Sequence, residues 1–116
     1  MSITAIREGL KAALEHLPGE VKVAPGEAKF GNGTDPMKRL VVQVIVGEPS
    51  DETEATLDQL LEEDGNLSVC AAIDADRTLR ETVTDAIVRS TSGYRIYPRR
   101  DAPPLLGAEW QVDYLT

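Results

Sequence analysis

The chain has 116 residues, of which 41% are hydrophobic, 28% charged and 4% aromatic, with a net charge of −8. That composition excludes global disorder and suits one aliphatic core, so a single domain over residues 1–116 is expected. The acidity argues against a protein that grips nucleic-acid phosphates or anionic lipid. No stretch nears the ~20 apolar residues of a membrane span. Met1–Leu17 mixes Arg7, Glu8, Lys11 and Glu15 into its apolar residues, unlike a signal peptide, so folding in the cytosol is expected. Cys70 is alone, which leaves no intrachain disulfide and no cysteine-based zinc site.

In chain order, Ser2 to Leu17 has the spacing of an amphipathic helix. Ile3, Ile6, Leu10, Ala13, Leu14 and Leu17 share one face, Ser2 caps the start, and Pro18-Gly19 ends it. Val21 and Val23 predict a short strand closed by Pro25-Gly26. A loop centred on Gly31-Asn32-Gly33-Thr34-Asp35-Pro36 follows. Lys38 to Val46 is the clearest strand. Leu40, Val42, Val44 and Val46 line one face, and Val41, Gln43 and Ile45 the other. The second face is only half polar, so Val41 or Ile45 is expected to be covered, by a neighbouring subunit or by a hairpin.

Asp51-Glu52-Thr53-Glu54 reads as a capping box with Asp51 as the cap, opening a helix through Leu57, Leu60 and Leu61 to Asp64. Ser68 caps a shorter helix, Val69 to Ala75. Thr82 to Ser90 and Tyr94 to Tyr97 predict two strands around a Ser92-Gly93 turn. Pro98 to Pro104 is a loop carrying Arg99 and Arg100. In the last strand Leu106, Ala108, Trp110, Val112 and Tyr114 face inward, while Glu109, Gln111 and Asp113 face water. The expected fold is α+β, with an antiparallel or mixed sheet of about four to five strands and helices on one face.

Chemistry is sparse. His16 is the only histidine, at the margin of the first helix's apolar face. The stretch from Asp74 to Thr78 begins like a calcium loop, but Leu79 stands where glycine makes the turn and Asp85 where glutamate closes the site. Gly31-x-Gly33 lacks the rest of any phosphate loop and reads as a turn. Cys70, among Val69, Ala71, Ala72 and Ile73, is expected to be an inert thiol. No catalytic residue, metal site or cofactor emerges. The notable features are charge segregation. Ten acids lie between Glu48 and Asp76 with no Lys or Arg among them. Arg95, Arg99 and Arg100 cluster near Tyr97, a composition found at subunit contacts. A negative face and a positive loop on one protomer can meet head-to-tail in a ring.

Several stretches, in order, resemble the tail terminator proteins of long-tailed phages, particularly those of actinobacteria. They are Ile6-Arg7-Glu8-Gly9-Leu10, Phe30-Gly31-Asn32-Gly33-Thr34-Asp35, Val42-Gln43-Val44-Ile45-Val46-Gly47 and Leu57-Asp58-Gln59-Leu60-Leu61. They continue with Ser68-Val69, Ala72-Ile73-Asp74-Ala75-Asp76, Thr78-Leu79 and Leu106-Gly107-Ala108-Glu109-Trp110-Gln111-Val112. The region Val21 to Ala28 departs from the family's longer, proline-containing apolar strand. The resemblance implies a virion protein of the tail and neck that assembles as a homo-oligomeric ring, typically a hexamer. Such a ring caps the tube built by the major tail protein, stops its growth and meets the head connector or stopper protein. DNA passes through its lumen without specific binding, and no cofactor or membrane is involved. Arg95, Tyr97, Arg99, Arg100, Val41 and Ile45 are the candidate interface residues. A head-side stopper or adaptor is a close variant. An acidic monomeric inhibitor that mimics nucleic acid is the alternative from another class, and a small carboxylate hydrolase a third.

Overall fold

The computed structural model describes residues 3–26 and 38–115. The expected Ser2 cap and the Gly31–Pro36 loop lie outside these residues. The chain folds as α1 (Ile3–Ala13), β1 (Glu20–Gly26), β2 (Lys38–Gly47), α2 (Asp51–Leu61), α3 (Val69–Ala75), β3 (Asp85–Thr91), β4 (Arg95–Tyr97) and β5 (Leu105–Leu115). The fold is α+β: among the described residues there are three helices and a five-stranded antiparallel sheet.

α1 is shorter than the periodicity suggests. It stops at Ala13, and Leu14 and Leu17 follow in tighter turns, their N–H groups bonded to the carbonyls of Lys11 and Leu14. Ile6, Leu10, Leu14 and Leu17 still enter the core, but Ile3, placed by spacing on the same face, is exposed. Gly19, at φ +97°, turns the chain into β1. β1 is a full seven-residue strand paired with β2, and Pro25 lies within it. An edge strand tolerates proline because its outward N–H has no ladder partner to lose.

Ser50, not Asp51, caps α2: its hydroxyl accepts the N–H of Thr53. Both residue types make good caps, and Ser50 is the residue that keeps extended backbone, at φ −162° and ψ 168°, just before the helix begins. Asp51, Glu52 and Glu54 then occupy the first turn, where the helix dipole favours negative charge. The helix ends at Leu61 rather than Asp64, and Gly65 turns the chain at φ +115°. Ser68 caps α3 as expected, accepting from Ala71 N–H and donating to the Glu62 carbonyl.

The predicted hairpin around Ser92-Gly93 does not form. β3 and β4 do not pair with each other; both run antiparallel to β5, β3 against residues 110–115 and β4 against 105–107. They are two lengths of one edge, interrupted where Ser92 N–H bonds the Glu109 carbonyl and Ser92 Oγ accepts Glu109 N–H. Gly93, at φ +72°, gave a hairpin signal but serves this interruption instead. The sheet order is β1-β2-β5-β3, with β4 beside β3 along the same side of β5. β5 is thus the central strand.

The helices cover one face. Leu40, Val42, Val44, Ala108, Trp110 and Val112 project from the two central strands into one hydrophobic cluster with Leu10, Leu57, Leu60, Val69 and Ile73. Trp110 is fully buried. The other face has no helix over it among the described residues.

Candidate functional site

The uncovered sheet face collects side chains from four strands. Register places Arg39 opposite Asp113, Val41 opposite Gln111, Gln43 opposite Glu109 and Ile45 opposite Gly107, all on this face. β4 adds Arg95 beside Gly107, and Tyr97 beside Leu105. Four of the six residues singled out from sequence, Val41, Ile45, Arg95 and Tyr97, therefore share one surface. Ile45 is already buried within one chain and Val41 is half-buried, so neither requires a neighbouring subunit to cover it.

The face is organised by Asp113. Strand alternation assigned this residue to water, but it is 1% exposed. Arg39 donates to it through Nε at 2.6 Å and through Nη2 at 3.2 Å, and Arg89 donates through Nε at 3.0 Å. Burial pushes the carboxyl upward, but the hydrogen bonds from Arg39 and Arg89 outweigh it and hold it below the usual carboxylate range. The hydrogen bond to Asp113 correspondingly raises Arg39. Sequence gave no sign of this triad, because its members are 24 and 74 residues from Asp113. Only the register of three strands brings them together.

A second pair lies beside it. Arg95 contacts Glu109 at 2.9 Å, and the Tyr97 hydroxyl donates to Glu109 at 3.4 Å. Burial, with the charge of Glu109, pushes Tyr97 up to about 12. Gly107 allows this packing. A Cβ there would sit 2.4 Å from the Val44 carbonyl oxygen and 3.1 Å from the Tyr97 ring.

Arg99 and Arg100 lie away from this face, on the β4–β5 loop. Arg99 is engaged within its own chain, donating to the Pro103 carbonyl at 2.7 Å and to Glu48 at 3.1 Å. Arg100 is exposed and has no partner among the described residues.

The helix layer has the opposite character. Asp51, Glu52, Glu54, Asp58, Glu62 and Glu63 are all exposed along α2 and its C-terminal end. Tyr94 reaches this bank and donates to the Asp58 carboxylate and the Glu54 carbonyl. The Asp58 hydrogen bond holds Tyr94 at about 12. Cys70, at the edge of the bank, is pushed up by burial and then by the charge of Glu63, so its thiol stays protonated.

Asp76 and Asp85 are committed to arginines. Asp76 pairs with Arg80 at 3.3 Å, and Asp85 receives two hydrogen bonds from Arg77. Leu79, Arg80 and Glu81 follow one another at φ 48°, 60° and 66°, a left-handed turn that closes the path from α3 to β3. Among the described residues no group of three or more His, Cys, Asp or Glu is placed to hold a metal ion. His16 is exposed, at the rim of a surface groove with Asn66 and Arg80. None of the described helices is long and apolar enough to cross a membrane.

Neither a family model nor a curated protein matches this sequence. The surfaces themselves are thus the basis for a functional reading: a sheet face fixed by ion pairs, a bank of acids on the opposite side, and two sheet edges that have no further partner strand among the described residues.

Proposed function

We propose that the chain is a structural protein of a phage tail and neck, a tail terminator. Copies assemble into a ring that caps the tail tube, halts its polymerisation and offers the surface that joins the head connector. The observation that carries the reading is the sidedness of the molecule. On the sheet face or its border Arg39, Arg89, Arg95 and Lys22 are paired with Asp113, Glu109 and Glu20, whereas the opposite helix layer presents six exposed acids between Asp51 and Glu63 with no cation among them. Unlike surfaces on opposite sides favour head-to-tail association, which closes into rings when the rotation permits. The resembling stretches support the same reading, since those within the described residues fall mainly on α1, β2, α2, α3 and β5, the elements that build the core.

In this assembly the charged side chains orient and exclude partners, and no bond is made or broken. Residues already fixed by ion pairs suit that role, because little side-chain entropy is left to lose on contact. Complementation tests the reading. Supplying this protein to a siphophage that lacks its terminator is expected to restore tails of uniform length joined to heads. Tails of uncontrolled length would overturn it.

The acidic bank alone favours one other reading, a monomeric inhibitor that presents carboxylates in place of nucleic-acid phosphates. Its mark would be a 1:1 complex with a basic nucleic-acid enzyme, weakened when Asp51, Glu52 and Glu54 are replaced by Ser.

A further inference from the structure

The two outer edges of the sheet differ in how they meet solvent. Among the described residues β1 forms one edge, and β3 with β4 forms the other. An unpaired edge is a template for another strand unless it is blunted by proline, lysine or a cover. β1 carries Lys22 and Pro25; β3 and β4 carry neither, and β3 is regular from Asp85 to Val88, with a bulge at Arg89 before Ser90. The exposed large hydrophobics among the described residues are Ile3, Ile87, Tyr94 and Ile96, and three of these four lie on or between β3 and β4. Beside β3 runs a groove of about 500 Å³ with Cys70, Ile73, Ala86 and Val88 along it. The inner hydrophobic layer also reaches both edges unfinished. Val21 and Val23 are half-buried on β1, and Val88 is half-buried on β3.

We infer that the β3 edge receives β1 of a second copy, antiparallel, with Val21 opposite Val88 and Glu20 opposite Arg89. The proposal rests on the ring reading above and names the surfaces that would make the ring. The register follows from alternation. On β1 the valines share the helix side while Glu20 and Lys22 share the open face. On β3, Ala86 and Val88 lie on the helix side, and Ile87 and Arg89 on the open face. The antiparallel register places Val23 beside Ala86 and Lys22 beside Ile87, so the aliphatic stem of the lysine covers the exposed isoleucine. Glu20 then meets Arg89, which already binds Asp113. A parallel arrangement that keeps Val21 opposite Val88 sets Lys22 beside Arg89, and like charges directly opposite are unfavourable. Pro25 lies beyond the paired residues Glu20–Ala24 and removes no bond from this ladder. The two edges belong to opposite sides of one sheet, so each copy can give one strand and receive another.

Disulfide trapping in the Cys70→Ala background tests the pairing. Lys22 and Ile87 are exposed, so Lys22→Cys and Ile87→Cys leave the core intact. Mixing the two single variants under oxidising conditions is expected to give a covalent mixed dimer. Each alone should give none, and a chain carrying both should give a ladder of multimers. Absence of the mixed dimer overturns the inference, and so does equal cross-linking by Ile87→Cys alone, which would mean that two β3 edges meet symmetrically. Glu20→Arg, on an exposed residue, provides a variant without a new thiol. It is expected to weaken self-association, measured by sedimentation, by about tenfold; unchanged association overturns the assigned register. The phage role fails separately. Protein that cross-links as expected but does not restore tails keeps the edge pairing and loses the terminator reading. Protein that restores tails without cross-linking does the reverse.

Discussion

Gly9 of α1 lies directly against the carbonyl oxygen of Leu79: a Cβ at Gly9 would sit 2.2 Å from it and 2.9 Å from Thr82 Oγ1. The helix therefore carries a glycine where an alanine would favour helicity by ~1 kcal/mol. The reason is the left-handed turn formed by Leu79, Arg80 and Glu81, which is docked on that spot. Non-glycine residues in this conformation cost ~1–2 kcal/mol each. Burial of Leu79 and the hydrogen bond from Thr82 Oγ1 to the Leu79 carbonyl offset that cost. Gly9→Ala is expected to destabilise the fold by about 2 kcal/mol, overpacking prevailing over propensity. Urea denaturation of the two proteins measures the difference.

The Asp113 triad predicts a pH dependence with a definite sign. The folded carboxyl lies below its unfolded value, so its contribution is fully present above the unfolded pKa, near ~4. It is lost as pH falls through the lower folded pKa. Asp113→Asn is expected to cost about 2–4 kcal/mol at neutral pH, since it leaves two guanidiniums facing a neutral amide. Both arginines reach water, which keeps the loss below that of a wholly enclosed pair. In the variant, stability should fall less steeply below about pH 4, as thermal melts across pH would show.

Tyrosine ionisation provides a second optical test. Tyr94 and Tyr97 are both held at about 12. Absorbance near 295 nm should therefore stay low well past pH 10, the ordinary tyrosine value. Asp58→Asn removes the charge that Tyr94 bonds, and should move one tyrosine down toward 10 while leaving Tyr97 in place.

Trp110 is 0% exposed, and its Nε1 has no hydrogen-bond partner among the described residues. Trp110→Ala should cost ~3–5 kcal/mol, enough to unfold much of a small domain. Native fluorescence should be blue-shifted relative to indole in water.

On the terminator reading proposed above, DNA passes through the ring without being held. Duplex DNA is expected not to bind at physiological salt, because the exposed acids repel phosphates within a Debye length of ~8 Å. Micromolar, salt-sensitive binding in a filter assay would contradict this.

Much of the fold was legible because local patterns report local structure. Alternation in β2 and β5 identified the inward residues Leu40, Val42, Val44, Trp110 and Val112, all fully buried. Ser68 announced α3. What was not legible depended on pairing between distant segments. Ser92-Gly93 has the chemistry of a hairpin turn, yet β5 offers both flanking strands a better partner. Asp113 has the alternation of a solvent residue, yet Arg39 and Arg89 enclose it from neighbouring strands. Gly9 stands in the sequence as an unexplained glycine in a helix, and only the Leu79 turn explains it. Of the candidate interface residues, Val41, Ile45, Arg95 and Tyr97 proved to share a face. Arg99 is tied to Glu48, an exposed pair of the sort worth ~0–1 kcal/mol, so Arg99→Ala should leave stability nearly unchanged.

The central position of β5 also sets an order of events during synthesis. β2, β3 and β4 all pair with a strand that emerges from the ribosome after them. Of the described strand pairs, only β1 with β2 can form before residue 105 is made. Until then the nascent chain holds the apolar faces of its helices without the sheet they cover, and Leu40, Val42 and Val44 have no Trp110 to meet. Completion of β5 closes the ladder on both sides in one cooperative step. A chain halted before Leu105 is therefore a substrate for chaperones and proteases.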